Sequence, residues 1–209
     1  MTDHKTLRGR VALAALATVA ALGLSACAGL GEAGSAATVG DTQITTEQLT
    51  NSVDAIQEQR GQAPGEPDLA LVTGTLQRKI ITELVDLACA AQGVTVSQGD
   101  IDLTLLGYDS QFGGRDAVIQ AFLENGVPAE EIEEQARLSL QVQALGVALV
   151  PDADQAGQQQ AVVQYVTGFG LETGVDVSPR FGTWDPLTLQ LGPQPTDLAG
   201  PAITTLPLS

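Results

Sequence analysis

The sequence predicts a mainly α-helical domain that carries one small β-sheet. Much of the apolar content of the 209-residue chain is Ala, Val and Leu, and aromatic residues make up only 3% of it. Such a composition suits helices that pack closely together. An apolar stripe through Leu69, Leu76 and Ile80 keeps helical spacing for about six turns. Short extended segments stand at both ends, and because an isolated hairpin is marginal in water, we expect the two ends to share a sheet.

The first 26 residues are typical of a lipoprotein signal peptide. Lys5, Arg8 and Arg10 precede an uncharged apolar run at residues 11–24, which is shorter than the roughly 20 residues needed to span a bilayer. The run ends in LSAC at residues 24–27, which resembles a bacterial lipobox. The resemblance implies cleavage before Cys27 and a lipid on the Cys27 thiol, and two acyl chains give stable anchoring. An ordinary secretory signal with an unrelated Cys is the alternative.

A tether and a hairpin are expected next. Residues 27–36 are mostly small and are expected to form a flexible tether. A Gly40-Asp41 turn between apolar residues predicts a β-hairpin at 37–44. Thr45 and Gln48 have the spacing of a capping box, so a helix is expected to begin there and to end near Gly61.

Five more helices are expected to follow. Four of their starts are marked, by capping residues at Asp68, Ser97 and Asp152 or Asp154, and by Pro128, which suits a first helical turn. Gly93 and the QFGGRD segment at 111–116 mark two of the ends. The helices are placed at 68–92, 97 to that segment, 115–124, 128–150 and 154–171.

The segment VDVSPRFGTW at residues 175–184 predicts a structural clasp. Val175 and Val177 alternate with a polar residue, as in a half-buried strand, and are expected to pair with the 37–44 hairpin. Phe181 and Trp184 are expected to cover the helices. Arg180 is expected to form an ion pair with a helix carboxylate. From residue 192 onward, four prolines among polar residues predict a disordered tail, 192–209.

The charge argues against nucleic acid as a partner. Without the leader, the chain would hold six basic residues and 24 acidic ones. So negative a surface repels phosphates and gives no electrostatic attraction to anionic lipids.

No catalytic, cofactor or metal site is expected. The only His is His4, inside the leader, so a Ser-His-Asp system and most zinc sites are excluded from the mature chain. Cys89 is expected to be a buried apolar residue, with a reactive thiol as the alternative. Four glutamates in the first turns of one helix are expected to form a solvated face, where the helix dipole favours acids: Glu130, Glu131, Glu133 and Glu134.

Three segments together resemble one family. ATVGDTQITTEQLTNSV (37–53) resembles the opening of the SurA N-terminal domain. GVTVSQGDIDLTLLGYDSQFGGRDAVIQAFLENGVPAEEIEEQARLSLQVQAL (93–145) is similar to the family's next section. SPRFG (178–182) fits a pattern of SurA- and PrsA-type foldases. The resemblance covers about residues 36–185. It implies a helical core like the trigger-factor peptide-binding region, here over 37–191, and an extracytoplasmic chaperone for unfolded or partly folded secreted proteins.

The expected function follows from that resemblance and from the leader. It is a holdase at the outer face of the bacterial cytoplasmic membrane, anchored through the lipid on Cys27. The helices near 150 and 154 leave no room for a parvulin insertion, so no prolyl isomerase activity is expected. An interaction lipoprotein that holds one dedicated envelope partner is the alternative. The candidate client contacts, which could equally be core residues, are Leu105, Leu106, Tyr108, Phe112 and Phe122.

Overall fold

The computed structural model describes residues 34–63 and 68–195. The leader, Cys27 and residues 196–209 of the tail lie outside this part of the chain. The described residues form six α-helices and five short strands, and a 3₁₀ turn at Ala129–Glu131 precedes the fifth helix. The predicted mainly α class with a small sheet is confirmed. In chain order the elements are β1 Ser35–Val39, β2 Thr42–Thr45, α1 Thr46–Gln59, α2 Leu69–Gln92, α3 Gln98–Phe112, α4 Arg115–Glu124, α5 Ile132–Leu149, α6 Gln155–Thr173, β3 Val175–Val177, β4 Thr183–Asp185 and β5 Gln190–Gly192.

The longest helix, α2, is the centre of the main core. Leu76, Ile80, Leu84 and Ala88 are all fully buried, and residues four apart lie on one face of a helix. The helices α1, α5 and α6 and the strand β1 pack around α2. The stripe that predicted a long helix is therefore the face on which the domain is assembled.

The two ends of the described chain meet in a three-stranded antiparallel sheet of order β2-β1-β3. Ala37 lies opposite Val177, and Val39 lies opposite Val175, so the predicted pairing of the clasp with the hairpin is confirmed. The turn between β1 and β2 has Gly40 at φ +57°, in the left-handed region that glycine adopts without steric cost. The sheet closes the domain on one side of the main core.

Two predicted boundaries are wrong. β1 begins at Ser35, so residues 35 and 36, expected in the tether, are buried in the sheet. Gly192, expected to open the disordered tail, is the last residue of β5.

The β4–β5 hairpin was not expected. It places Trp184 opposite Leu191, and Trp184 and Phe181 pack against the main core as predicted. Each strand has only three residues, too few for an alternating pattern. The turn between them uses Leu189 at φ +54°, which no common turn pattern predicts for a leucine.

The predicted ion pair of Arg180 is wrong. Its Nη2 donates a 2.7 Å hydrogen bond to the Thr46 hydroxyl, and its guanidinium lies 4.7 Å from the centre of the Phe181 ring. The reason is that the Arg180 side chain contacts the Thr46 hydroxyl at the start of α1 and the ring of its sequence neighbour Phe181. Arg180 thus joins the clasp to α1 without a carboxylate.

Candidate functional site

α3, α4 and the turn that follows them form a lobe with its own small core, residues 98–127. Val118, Val127 and Ile132 of α5 are buried at its centre. α3 packs on α4 and on α5, and α4 packs on the 3₁₀ turn. The lobe is thus attached to the main body through the start of α5.

Local sequence signals shape the lobe. Ser97 caps α3 by accepting a 3.2 Å hydrogen bond from the Asp100 amide, while the Asp100 carboxylate accepts from the Ser97 hydroxyl. α3 is followed by Gly113 and Gly114, whose φ angles are +90° and +125°. Arg115 Nε then lies 3.2 Å from Asp109 Oδ1, an ion pair that holds the start of α4 against the end of α3.

The five expected client contacts fall into two groups. Leu105, Tyr108 and Phe122 are partly buried and pack against the lobe's core, with the Tyr108 and Phe122 ring centres 5.4 Å apart. Leu106 and Phe112 are exposed, by 60% and 42%. Three of the five therefore serve mainly as packing, and two face solvent.

Sequence reasoning missed Leu103, which is 67% exposed. It lies three residues before Leu106, so both leucines are on the same side of α3, and Gly107 continues this side without a side chain. We call Leu103, Leu106 and Gly107 the outer face of α3. The signal was present: Ile101, Leu105 and Tyr108 already form an inward stripe, which leaves the two other leucines opposite to it.

A cluster of polar contacts joins the start of α5, on which the lobe packs, to α1 and α2. The Glu131 carboxylate accepts hydrogen bonds from the Ser52 hydroxyl, from Arg78 Nη2 at 2.8 Å and from Lys79 Nζ at 2.9 Å. Its side chain is only 13% exposed, so the predicted solvated role is wrong for Glu131. The reason is that α1 and α2 both present polar side chains to the start of α5.

The electrostatics of Glu131 are those of a structural ion cluster. Burial alone would raise the pKa of Glu131, but hydrogen bonds from Ser52, Lys79 and Arg78 and the Lys79 charge outweigh it and lower the pKa below its ordinary value. Gln59 adds a further tie, donating 2.8 Å to Glu130 and accepting 2.9 Å from the Ala129 amide. The cluster holds the start of α5, on which the lobe packs, against α1 and α2.

Cys89 is buried, with its thiol 3.8 Å from the Gln141 carbonyl oxygen. Burial, and secondarily the nearby Asp86 charge, raises the pKa of this thiol. A thiol that resists deprotonation is a poor nucleophile.

Over residues 34–63 and 68–195, no group of three or more His, Cys, Asp or Glu side chains is placed to hold a metal ion. In the same residues, no helix combines the length and the apolarity that crossing a bilayer requires.

Comparison with known proteins returned no match: no family model, no curated protein and no solved structure matches the chain.

Proposed function

We propose that the protein is a lipid-anchored extracytoplasmic holdase that binds unfolded or partly folded secreted proteins. The carrying observation is the outer face of α3, where Leu103 and Leu106 are mostly exposed. Two exposed leucines about one helical turn apart on the same side of a helix offer an apolar surface for a client's apolar segments. Phe112 at the end of the same helix is also exposed, but it lies on the side of α3 opposite Leu103.

The rest of the molecule supports this role. The lobe that carries the outer face has a small core of its own, so its surface is held in place without depending on a client. The net charge of −16 keeps copies of the chain apart by repulsion. An exposed apolar face on a strongly acidic protein suits transient binding of other chains over self-association.

Anchoring rests on the leader. The LSAC sequence and the lipid expected on Cys27 support a position at the outer face of the cytoplasmic membrane. There it would meet secreted chains as they emerge. Isomerase chemistry forms no part of the proposal.

The test is suppression of aggregation by the mature protein. Light scattering of several unrelated unfolded clients is measured with the unaltered protein and with Leu103→Gln/Leu106→Gln. Glutamine has nearly the helix propensity of leucine, so the double variant should fold normally. We expect the unaltered protein to suppress aggregation and the double variant to lose most of that effect.

A matched control uses exposed valines on other helices. Val147 of α5 and Val163 of α6 are 51% and 59% exposed, so Val147→Gln/Val163→Gln removes similar apolar area outside the lobe. This control should retain its activity. If the unaltered protein leaves all unrelated clients unprotected and captures a single envelope partner from membranes, the protein is the dedicated interaction lipoprotein instead of a holdase.

A further inference from the structure

A cleft of about 350 Å³ lies on the main body, where α1 ends, α2 begins and the turn after α4 passes. Ligand-binding clefts in proteins have volumes of about 300 to 1,000 Å³, so the cleft is large enough for a small ligand. The lining includes the apolar residues Ala70 and Leu71 and two arginines. The outer face of α3 is not part of it.

The two guanidinium groups belong to Arg60 and Arg78, and both keep unused donors. Arg60 Nη2 donates to the Leu123 carbonyl at 2.7 Å and reaches the Glu124 carbonyl at 3.5 Å. Arg78 uses Nη1 for the Gly126 carbonyl and Nη2 for Glu131. A guanidinium has five N–H donors, so bracing the turn after α4 occupies only some of them.

One basic side chain at the cleft has no carboxylate partner among the described residues. Glu131 is shared by Arg78 and Lys79, and the Glu134 carboxylate lies close enough for both positive charges to act on it, so this group keeps no net charge. Arg60 adds a positive charge, and among the described residues its contacts are to backbone carbonyls. Glu124, exposed at the rim, is the acidic residue that lines the cleft.

Two features of α2 leave room and a donor for a ligand. Thr75 is 1% exposed, and its hydroxyl has no hydrogen-bond partner within residues 34–63 and 68–195, an arrangement that is costly unless a partner arrives. One residue earlier, Gly74 lines the cleft, and a Cβ built there meets nothing within 4 Å. The cleft floor is therefore open beside a buried polar group.

We propose that this cleft binds a carboxylate attached to a small apolar group. The free N–H groups of Arg60 and Arg78 suit a carboxylate, because guanidinium forks bind such groups in charge-assisted pairs. The apolar group would lie against Leu71 and Ala70. The free C-terminus of a polypeptide and a small carboxylic acid share this chemistry. The site does not depend on the holdase proposal.

The test is an NMR titration of the mature protein with matched ligands. The probes are Ac-Gly-Ala-Leu as the free acid, the same peptide as its C-terminal amide, and isovalerate. We expect the free acid to shift the backbone NMR signals of Gly74, Thr75 and Gly126. The peptide with a C-terminal amide should bind more weakly by about tenfold or by a larger factor, since it lacks the charge-assisted hydrogen bonds. Isovalerate binding as tightly as the free acid assigns the site to small carboxylates, and weaker isovalerate binding assigns it to polypeptide C-termini.

Two variants separate the site from the structural role of the arginines. Gly74→Leu fills the cleft with a residue that favours helices, so we expect it to abolish binding without lowering the Tm. Gly168→Leu, at an equally open helical glycine on α6, is its control and should bind normally. Arg60→Gln should weaken the free acid about tenfold, whereas Arg137→Gln, at an exposed ion pair on α5, should not.

The proposal is overturned by any of four results. The first is equal affinity for the free acid and the amide. The second is that neither the free acid nor isovalerate binds at millimolar concentration. The third is undiminished binding of the free acid by a folded Gly74→Leu variant. The fourth is an equal loss in Arg137→Gln and Arg60→Gln, because it would reflect diffuse charge attraction.

Discussion

Glu131 ties three helices together through one carboxylate. Its partners Ser52, Arg78 and Lys79 lie on α1 and α2, and the residue itself is the N-cap of α5. Most of its side chain is removed from solvent, where ion pairs are poorly screened and a lost partner is costly.

Glu131→Gln is expected to lower the free energy of unfolding by about 2 to 3 kcal/mol, below the roughly 3 to 5 kcal/mol of a fully buried pair, because Glu131 keeps some exposure. The folded pKa of Glu131 lies below its unfolded value. Its contribution is therefore present above the unfolded pKa and is lost as the pH falls through the folded pKa. Urea unfolding between pH 7 and pH 3 should show a shallower acid decline for the variant. An unchanged free energy at pH 7 would contradict this role.

The control for that measurement is Glu134, one turn further along α5. Burial raises the pKa of Glu134; the Lys79 charge opposes this, while Glu131 and Asp86 add to it. A raised carboxylate pKa means that ionisation costs stability above the unfolded pKa, so Glu134→Gln should raise the Tm at pH 7. This gain should vanish at acidic pH, where both states are protonated.

The different roles of these glutamates were beyond the sequence. Glu130, Glu131, Glu133 and Glu134 form one acidic helix start, and local pattern gives them the same solvated environment. What distinguishes Glu131 is its Ser52 partner, 79 residues away along the chain. Long-range packing of α1 and α2 decides this, and periodicity carries no information on it.

Among the elements, the lobe depends on the turn between α3 and α4. Gly114 has φ +125° and ψ 166°, a region that only glycine populates readily. A Cβ built at Gly114 meets nothing within 4 Å. A side chain at Gly114 would therefore destabilise the fold through backbone strain and not through a clash with neighbouring atoms.

Gly114→Ala is expected to destabilise the lobe by about 1 to 3 kcal/mol because of this backbone conformation. Amide hydrogen exchange should become faster in α3 and α4 while that of α2 stays unchanged, since the lobe has a separate core. Gly107→Ala is the control: it lies within α3 in open space and should stabilise by about 0.5 to 1 kcal/mol. Equal loss of protection in α2 would show that lobe and body unfold together.

The elements with local signals were predictable. The Thr45–Gln48 capping box is present, Asp68 and Asp154 cap α2 and α6, and α4 has the predicted bounds. The β4–β5 hairpin was not predictable in this way. Its stability comes from packing of Trp184 and Leu191 on the main core, and its own sequence carries little local signal for a hairpin.

At the scale of the whole molecule, the last strands keep the ends of the domain together. Trp184 packs on the main core from the β4–β5 hairpin, and its indole Nε1 has no hydrogen-bond partner among the described residues. Its contribution is therefore apolar contact.

Trp184→Ala is expected to lower the free energy of unfolding of the domain by about 2 kcal/mol, less than the roughly 3 to 5 kcal/mol of a fully buried aromatic, because Trp184 is half-buried. Leu187→Ala, in the exposed turn of the same hairpin, should have little effect. At a temperature where both variants are folded, aggregation suppression should match that of the unaltered protein. A folded Trp184→Ala variant without that activity would make the clasp part of the site.

The fold class and the joining of the chain ends followed from the sequence, because periodicity and the hairpin rules act locally. The division into two cores did not follow, since it depends on which helix faces meet. The candidate site was half predicted: the sequence located α3 and α4, and its helical period separates Leu105 and Tyr108 from Leu103 and Leu106, whereas packing decides which of the two sides faces the lobe's core.

The antiparallel pairing of β1 with β3 has a mechanical consequence. Ser35 at the start of β1 and Val177 at the end of β3 lie at the same end of the sheet. A pulling force applied through the flanking chain would therefore load the ladder from that end. It would peel the strands apart one hydrogen bond at a time, starting at the Ser178–Ala36 bond, without shearing the whole ladder at once. The sheet should yield at low force, while the helices packed around α2 resist longer.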